Sequence, residues 1–292
     1  MIENCLKKIA NTIVCNLDNT TQLGISQGKM GLCYYLFAYS NRYNSSSHNE
    51  VACDLLREII VEMSRDINRF STDTMCEIGI GLVALISRGY VEDVEGQGFL
   101  EIIDKYVLGR PLTVEEMNQK SERCDVFLTG MYAYVRLKNS DNVSKRKNYD
   151  DFIGNICEEL NKATRISLSE ETKPFWSSVL YVLTKIDMLG NDMDCSRELR
   201  RVCQKMKMDI EIMGGIPCVP FEDKLSMRDI EMNGWKYVLY GKDKARQYFL
   251  QNDFEKYIGE TVGNSYYSLM TVNSSLAAMG IMLMKEDYIS IS

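Results

Sequence analysis

Apolar residues recur at helical spacing most clearly in EVACDLLREIIVEMSRDINRF, where Val51, Leu55, Leu56, Ile59, Ile60, Met63 and Ile67 share one face. This spacing predicts an amphipathic helix, with Asn49 or a Ser just before it as N-cap. Weaker copies occur at Ile2, Leu6, Ile9 and Ile13, at Phe99, Ile102, Ile103 and Tyr106, and at Phe152, Ile153, Ile156 and Leu160. Two more follow, at Leu199, Val202, Cys203 and Met206, and at Tyr248, Phe249, Phe254 and Ile258. Thr113 and Glu116 in TVEE form a capping box, the signature of a further helix start.

Between these segments lie apolar, aromatic-rich runs, each preceded by a small residue and expected to be buried on more than one face. They are GLCYYLFA at Gly31, GIGLVALI at Gly79, GMYAYVRL at Gly130, SVLYVLTKI at Ser178, GWKYVLYG at Gly234 and GIMLM at Gly280. Their intervals of about 48, 51, 48, 56 and 46 residues mark a repeat. Each unit pairs an amphipathic helix with a more apolar helix that opens on a small residue. The small residue permits a positive φ or lets backbones approach closely.

The expected fold is therefore all-α: an α/α toroid, a closed ring of about six helical hairpins with apolar helices inside and amphipathic helices outside, in a single domain over residues 1–292. An open superhelical array of helix pairs is the competing arrangement. A seventh, imperfect pair between Met188 and Trp235 is the alternative to six.

Composition narrows the function. A formal charge of −7 opposes a nucleic-acid role, because binding to the phosphate backbone needs clustered Lys and Arg. The short basic clusters SKRKNYD and RELRRVCQKMKM read as solvated helix faces and loops. Ten cysteines without a CxxC suit reduced core thiols in a cytoplasmic protein. The N-terminal segment alternates polar and apolar residues rather than forming a signal peptide's apolar core. No run approaches the roughly 18 apolar residues of a membrane span. GISQGKMG places glycines around a lysine, but a phosphate loop needs GxxxxGK followed by Ser or Thr after a strand.

GISQGKMGLCYYLFAYS, CEIGIGLVALISRGYVE and NSSLAAMGIMLMK resemble the glycine-rich repeats of lanthionine synthetase C-like proteins, the cyclases of lantibiotic biosynthesis. Gly28, Gly31, Gly79, Gly81, Gly130 and Gly280 match the repeat glycines, and Gly89-Tyr90-Val91-Glu92 matches the helix exit. The resemblance implies an α/α toroid. In active members it also implies a zinc held by two cysteines and a histidine, which activates a peptide thiol for addition to a dehydrated Ser or Thr. Their Trp-Cys-x-Gly and Cys-His-Gly motifs have no counterpart here. MNGWKYVLYG carries Lys236 at the thiolate position, Cys218 in GGIPCVP makes no zinc site alone, and the single histidine, His48, lies in the loop NSSSHNE. The expectation is a member without metal, cofactor or catalytic residues, which binds a precursor peptide or a maturation enzyme in a ribosomal-peptide modification pathway.

Binding residues are expected at the rim of the ring. Gln27 and Lys29 are expected to face its mouth. Trp176 and Trp235 open the fourth and fifth inner helices, as peptide anchors or as core. Asp73 and Glu77, four apart at an inner-helix start, supply acids for a second reading, a carbohydrate hydrolase with Glu171 or Asp125 as partner. Cys76 beside them is a candidate reactive thiol or a core one. A third reading is a helical scaffold with no small ligand.

Overall fold

Amphipathic and apolar helices alternate along the chain in a computed structural model that describes residues 2–110, 123–139, 143–162, 173–189, 195–212, 225–239, 243–265 and 272–284. Among these residues every regular element is helical and no helix is long and apolar enough to cross a membrane. The TVEE capping box, Glu171 and Cys218 lie outside the described residues. The chain divides into two compact units, Met1–Asp93 with Lys224–Ser292, and Val94–Asp223.

In the first unit, α1 (Ile2–Cys15) buries Leu6, Ile9 and Ile13 as their spacing predicts, and leaves Ile2 exposed. Helix α2 (Lys29–Tyr43) is buried continuously from Lys29 to Ser40. It ends at Asn44, in the left-handed conformation at φ 50° that Asn tolerates better than most residues. Helix α3 (Ser46–Arg65) starts a few residues earlier than the pattern predicts and buries Leu55, Leu56, Ile59 and Met63 against α2.

Helix α4 (Thr72–Ser87) is capped by the Ser71 hydroxyl, which accepts a hydrogen bond from Thr74 N–H at 3.2 Å. It ends in a Schellman motif. Gly89 N–H donates to Ile86 C=O at 2.9 Å and Tyr90 N–H to Leu85 C=O at 3.0 Å, with Gly89 at φ 68°. The Gly-Tyr-Val-Glu segment is thus a helix exit.

The second unit holds α5 (Asp93–Leu108), α6 (Arg123–Lys138), α7 (Val143–Lys162), α8 (Lys173–Asp187) and α9 (Ser196–Ile212). Helix α8 packs against both α6 and α9. The first unit is completed by α10 (Met227–Leu239), α11 (Asp243–Gln251), α12 (Phe254–Ser265) and α13 (Val272–Leu283). The sixth amphipathic segment is two helices rather than one, because Asp253 breaks it at φ 36°.

Most repeat glycines sit inside the apolar helices rather than at their starts. Gly79 and Gly81 lie in the middle of α4, Gly130 in α6 and Gly234 in α10. Close approach is the role of Gly81, Gly130, Gly234 and Gly280. A Cβ on Gly81 would lie 2.4 Å from Met30, on Gly130 2.8 Å from Val182, on Gly234 2.8 Å from Ala278, and on Gly280 2.2 Å from Tyr35. Among the described glycines only Gly89 has a positive φ.

Candidate functional site

The segment between α1 and α2 folds back on itself because the first N–H groups of α2 have no partner within the helix. Lys29 N–H donates to Gln22 C=O at 2.9 Å and Met30 N–H to Leu23 C=O at 3.1 Å. A Cβ on Gly28 would lie 2.6 Å from the Gly24 backbone, so this turn closes only around glycine.

Glu77 of α4 clamps the loop. Its Oε2 accepts from Ser26 N–H at 3.1 Å and its Oε1 from the Ser26 hydroxyl at 2.5 Å. Gly24 is what lets the carboxylate in, since a Cβ there would lie 2.0 Å from Oε2. From the other end of the sequence, the Ser274 hydroxyl donates to Ser26 C=O at 2.7 Å. Trp235 Nε1–H in turn donates to Ser274 C=O at 2.9 Å. The indole lies against Gly31, where a Cβ would be 2.9 Å from the ring, and meets Tyr34 edge-on with centroids 6.5 Å apart. One loop is therefore held by α4, α10 and α13 together.

This arrangement gathers some expected rim residues and separates others. Gln27 is exposed at the tip of the loop. Asp73 lies one turn before Glu77 on α4 and is half-buried. Lys29, expected to face the mouth, is only 8% exposed and is ion-paired to Glu58 and Glu62 of α3. An ammonium at a buried position needs such acids, and α3 supplies them.

The tryptophans are core residues. Trp235, which lies well inside α10 rather than opening it, and Trp176 are each 2% exposed, and Trp176 lies in the second unit against Phe175, with ring centroids 4.9 Å apart. Cys76 is a buried thiol. Glu77, with both oxygens on Ser26, works as a loop clamp, which weakens its candidacy as a glycosidic acid. No family model, curated protein or solved structure matches this chain.

The sequence carries neither of the two motifs that supply the zinc ligands in active members of the family it resembles. Among the described residues no three His, Cys, Asp or Glu side chains form a metal-binding group. His48 lies in the first turn of α3 rather than in a loop, and it is occupied there: its Nδ1 lies 2.7 Å from the Ser45 hydroxyl and its ring meets Tyr39 with centroids 4.9 Å apart. Burial lowers its pKa below the ordinary histidine value.

Two features escaped the sequence reading. Ser26 and Ser274 carry no local signal, because their bond spans 248 residues. Arg136 did carry one: it is a lone charge within the apolar run GMYAYVRL, and such a charge requires a buried partner. That partner is Asp104 of α5, at 2.8 Å from Nη2.

Proposed function

We propose that this chain is a zinc-free α/α toroid resembling the lanthionine synthetase C-like proteins, which binds a precursor peptide or its maturation enzyme in a ribosomal-peptide modification pathway. The observation that carries the reading is the glycine-mediated succession of apolar helices. Gly81 sets α4 against α2, Gly280 sets α13 against α2, Gly234 sets α10 against α13, and Gly130 sets α6 against α8. In a ring of hairpins each inner helix must lie this close to its neighbours. The first and last apolar helices, α2 and α13, pack directly on each other, as ring closure requires.

The binding role follows from what the toroid retains and what it lacks. It keeps the glycine loop, with Gln27 exposed and Glu77 clamping it, and its sequence carries neither the Trp-Cys-x-Gly nor the Cys-His-Gly motif of a cyclase. Many reduced-looking cysteines support a cytoplasmic setting.

The test is metal analysis of the purified protein, together with fluorescence anisotropy on fluorescein-labelled leader peptides of ribosomally made, thioether-bridged peptides. The expected result is saturable peptide binding with far less than one zinc per chain. Stoichiometric zinc with thioether formation, or no peptide binding, overturns the proposal.

A further inference from the structure

Outside the glycine loop, the outer helices α1 and α12 of the first unit enclose a groove of about 490 Å³. This lies within the roughly 300–1,000 Å³ of ordinary ligand sites. From α1 it is lined by Asn4, Lys7, Lys8 and Asn11 around Cys5, and from α12 by Glu255, Ile258 and Gly259. Asn4, Lys8 and Asn11 stand at i, i+4 and i+7 and so form one stripe along the helix. Asn4, Lys8, Asn11 and Glu255 are exposed, whereas Ile258 is buried and gives the groove an apolar floor.

The spacing of the two carboxamides suits a particular ligand. Seven helical residues rise about 10.5 Å, and three residues of extended chain span about 10 Å. Each carboxamide offers both a donor and an acceptor, as the backbone of an extended peptide does. Asn4 and Asn11 can therefore meet peptide groups three residues apart. Between them stands the Lys8 ammonium, and from α12 comes the Glu255 carboxylate. Both act on the Cys5 thiol that lines the groove: burial raises its pKa most, Glu255 raises it further, and Lys8 lowers it. Gly259 leaves the α12 wall low, since a Cβ there would meet nothing within 4 Å.

We propose that this groove holds an extended peptide segment by its backbone through Asn4 and Asn11, and favours a segment whose acidic side chains meet Lys7 and Lys8 while a basic one meets Glu255. The proposal rests on the peptide-binding reading above and gives the peptide a contact on α1 and α12 in addition to the glycine loop.

The same labelled leader peptides, titrated at low salt, test it against three variants. Gly259→Leu fills the groove from a position with open space, and Asn4→Ala/Asn11→Ala removes both carboxamides. Gly263→Leu is the matched control, because it adds the same side chain to another open position on α12 outside the groove. The groove variants are expected to bind more than about tenfold more weakly and the control within about twofold of the parent. Circular dichroism melts check that all three fold. Equal binding by parent and variants overturns the groove while leaving peptide binding intact, whereas no saturable binding by the parent removes both.

Discussion

Asp104 accepts hydrogen bonds from the Tyr132 hydroxyl at 2.5 Å, Arg136 Nε at 3.1 Å, Arg136 Nη2 at 2.8 Å and the Tyr149 hydroxyl. The cluster ties α5, α6 and α7 together through one carboxylate. Burial is the main cause that raises both tyrosines well above their ordinary pKa, so both remain donors at neutral pH. For Arg136, burial opposes the charge, but the Asp104 hydrogen bond and the neighbouring groups more than offset it and raise its pKa. The Arg136 side chain is only 3% exposed, so losing its partner leaves a buried charge uncompensated. Asp104→Ala is expected to destabilise the protein by about 3–5 kcal/mol, and Asp104→Leu with Arg136→Met by much less. Urea unfolding followed by circular dichroism measures both, and a loss below about 1 kcal/mol for Asp104→Ala would mean that Arg136 reaches water.

At the scale of the helix, the same glycine residue type has opposite consequences on the two kinds of element. Gly31 opens the buried α2, where a Cβ would lie 2.3 Å from Ile25 C=O and 2.9 Å from the Trp235 ring. Backbone cannot move aside as a flexible side chain can, so Gly31→Ala is expected to cost about 1–3 kcal/mol. Gly98 lies exposed on α5 with nothing within 4 Å of a Cβ, and Gly98→Ala is expected to stabilise by about 0.5–1 kcal/mol. Urea midpoints of the two variants should therefore move in opposite directions, and a stabilised Gly31→Ala would contradict the close approach. The alternation that separates these elements was legible in the sequence, and Phe152, Ile153, Ile156 and Leu160 are all buried as their spacing predicts. The face of α5 was not. Phe99 and Leu100, then Ile102 and Ile103, leave the helical phase open by one residue, and the fold buries Leu100, Ile103 and Val107 while Ile102 stays 43% exposed. Lys29 was misread for a different reason: its neighbours in sequence are glycines and a glutamine, and its Glu58 partner stands 29 residues away on another helix.

For the first unit as a whole, what local pattern could not supply is how its two chain segments join. Helix α13 packs against α1, α2 and α10, so the end of the chain completes a core begun at its start. The Ser274 hydroxyl bonds to Ser26 C=O, and Gly280 admits the Tyr35 ring. A repeat period shows that units stack, but an open array and a closed ring have the same period. The two differ in how they respond to loss of the last helix. In an open array, stability is a sum of repeats and nearest-neighbour interfaces, so a terminal unit can be removed while the rest stays folded. In a ring, the last inner helix has the first as a neighbour, and its removal uncovers both sides of a seam. Truncation after Thr271 would strip Ser26 and Trp235 of their Ser274 bonds and expose the buried Tyr35. The truncated chain is expected to keep much of its helical signal, lose its cooperative melt and bind a hydrophobic dye. Gly280→Leu provides a milder version on the full-length chain, because its side chain must displace the Tyr35 ring and prise α13 from α2. Cooperative melting of the truncated chain at an unchanged temperature, with Gly280→Leu equally stable, would fit an open array and overturn ring closure.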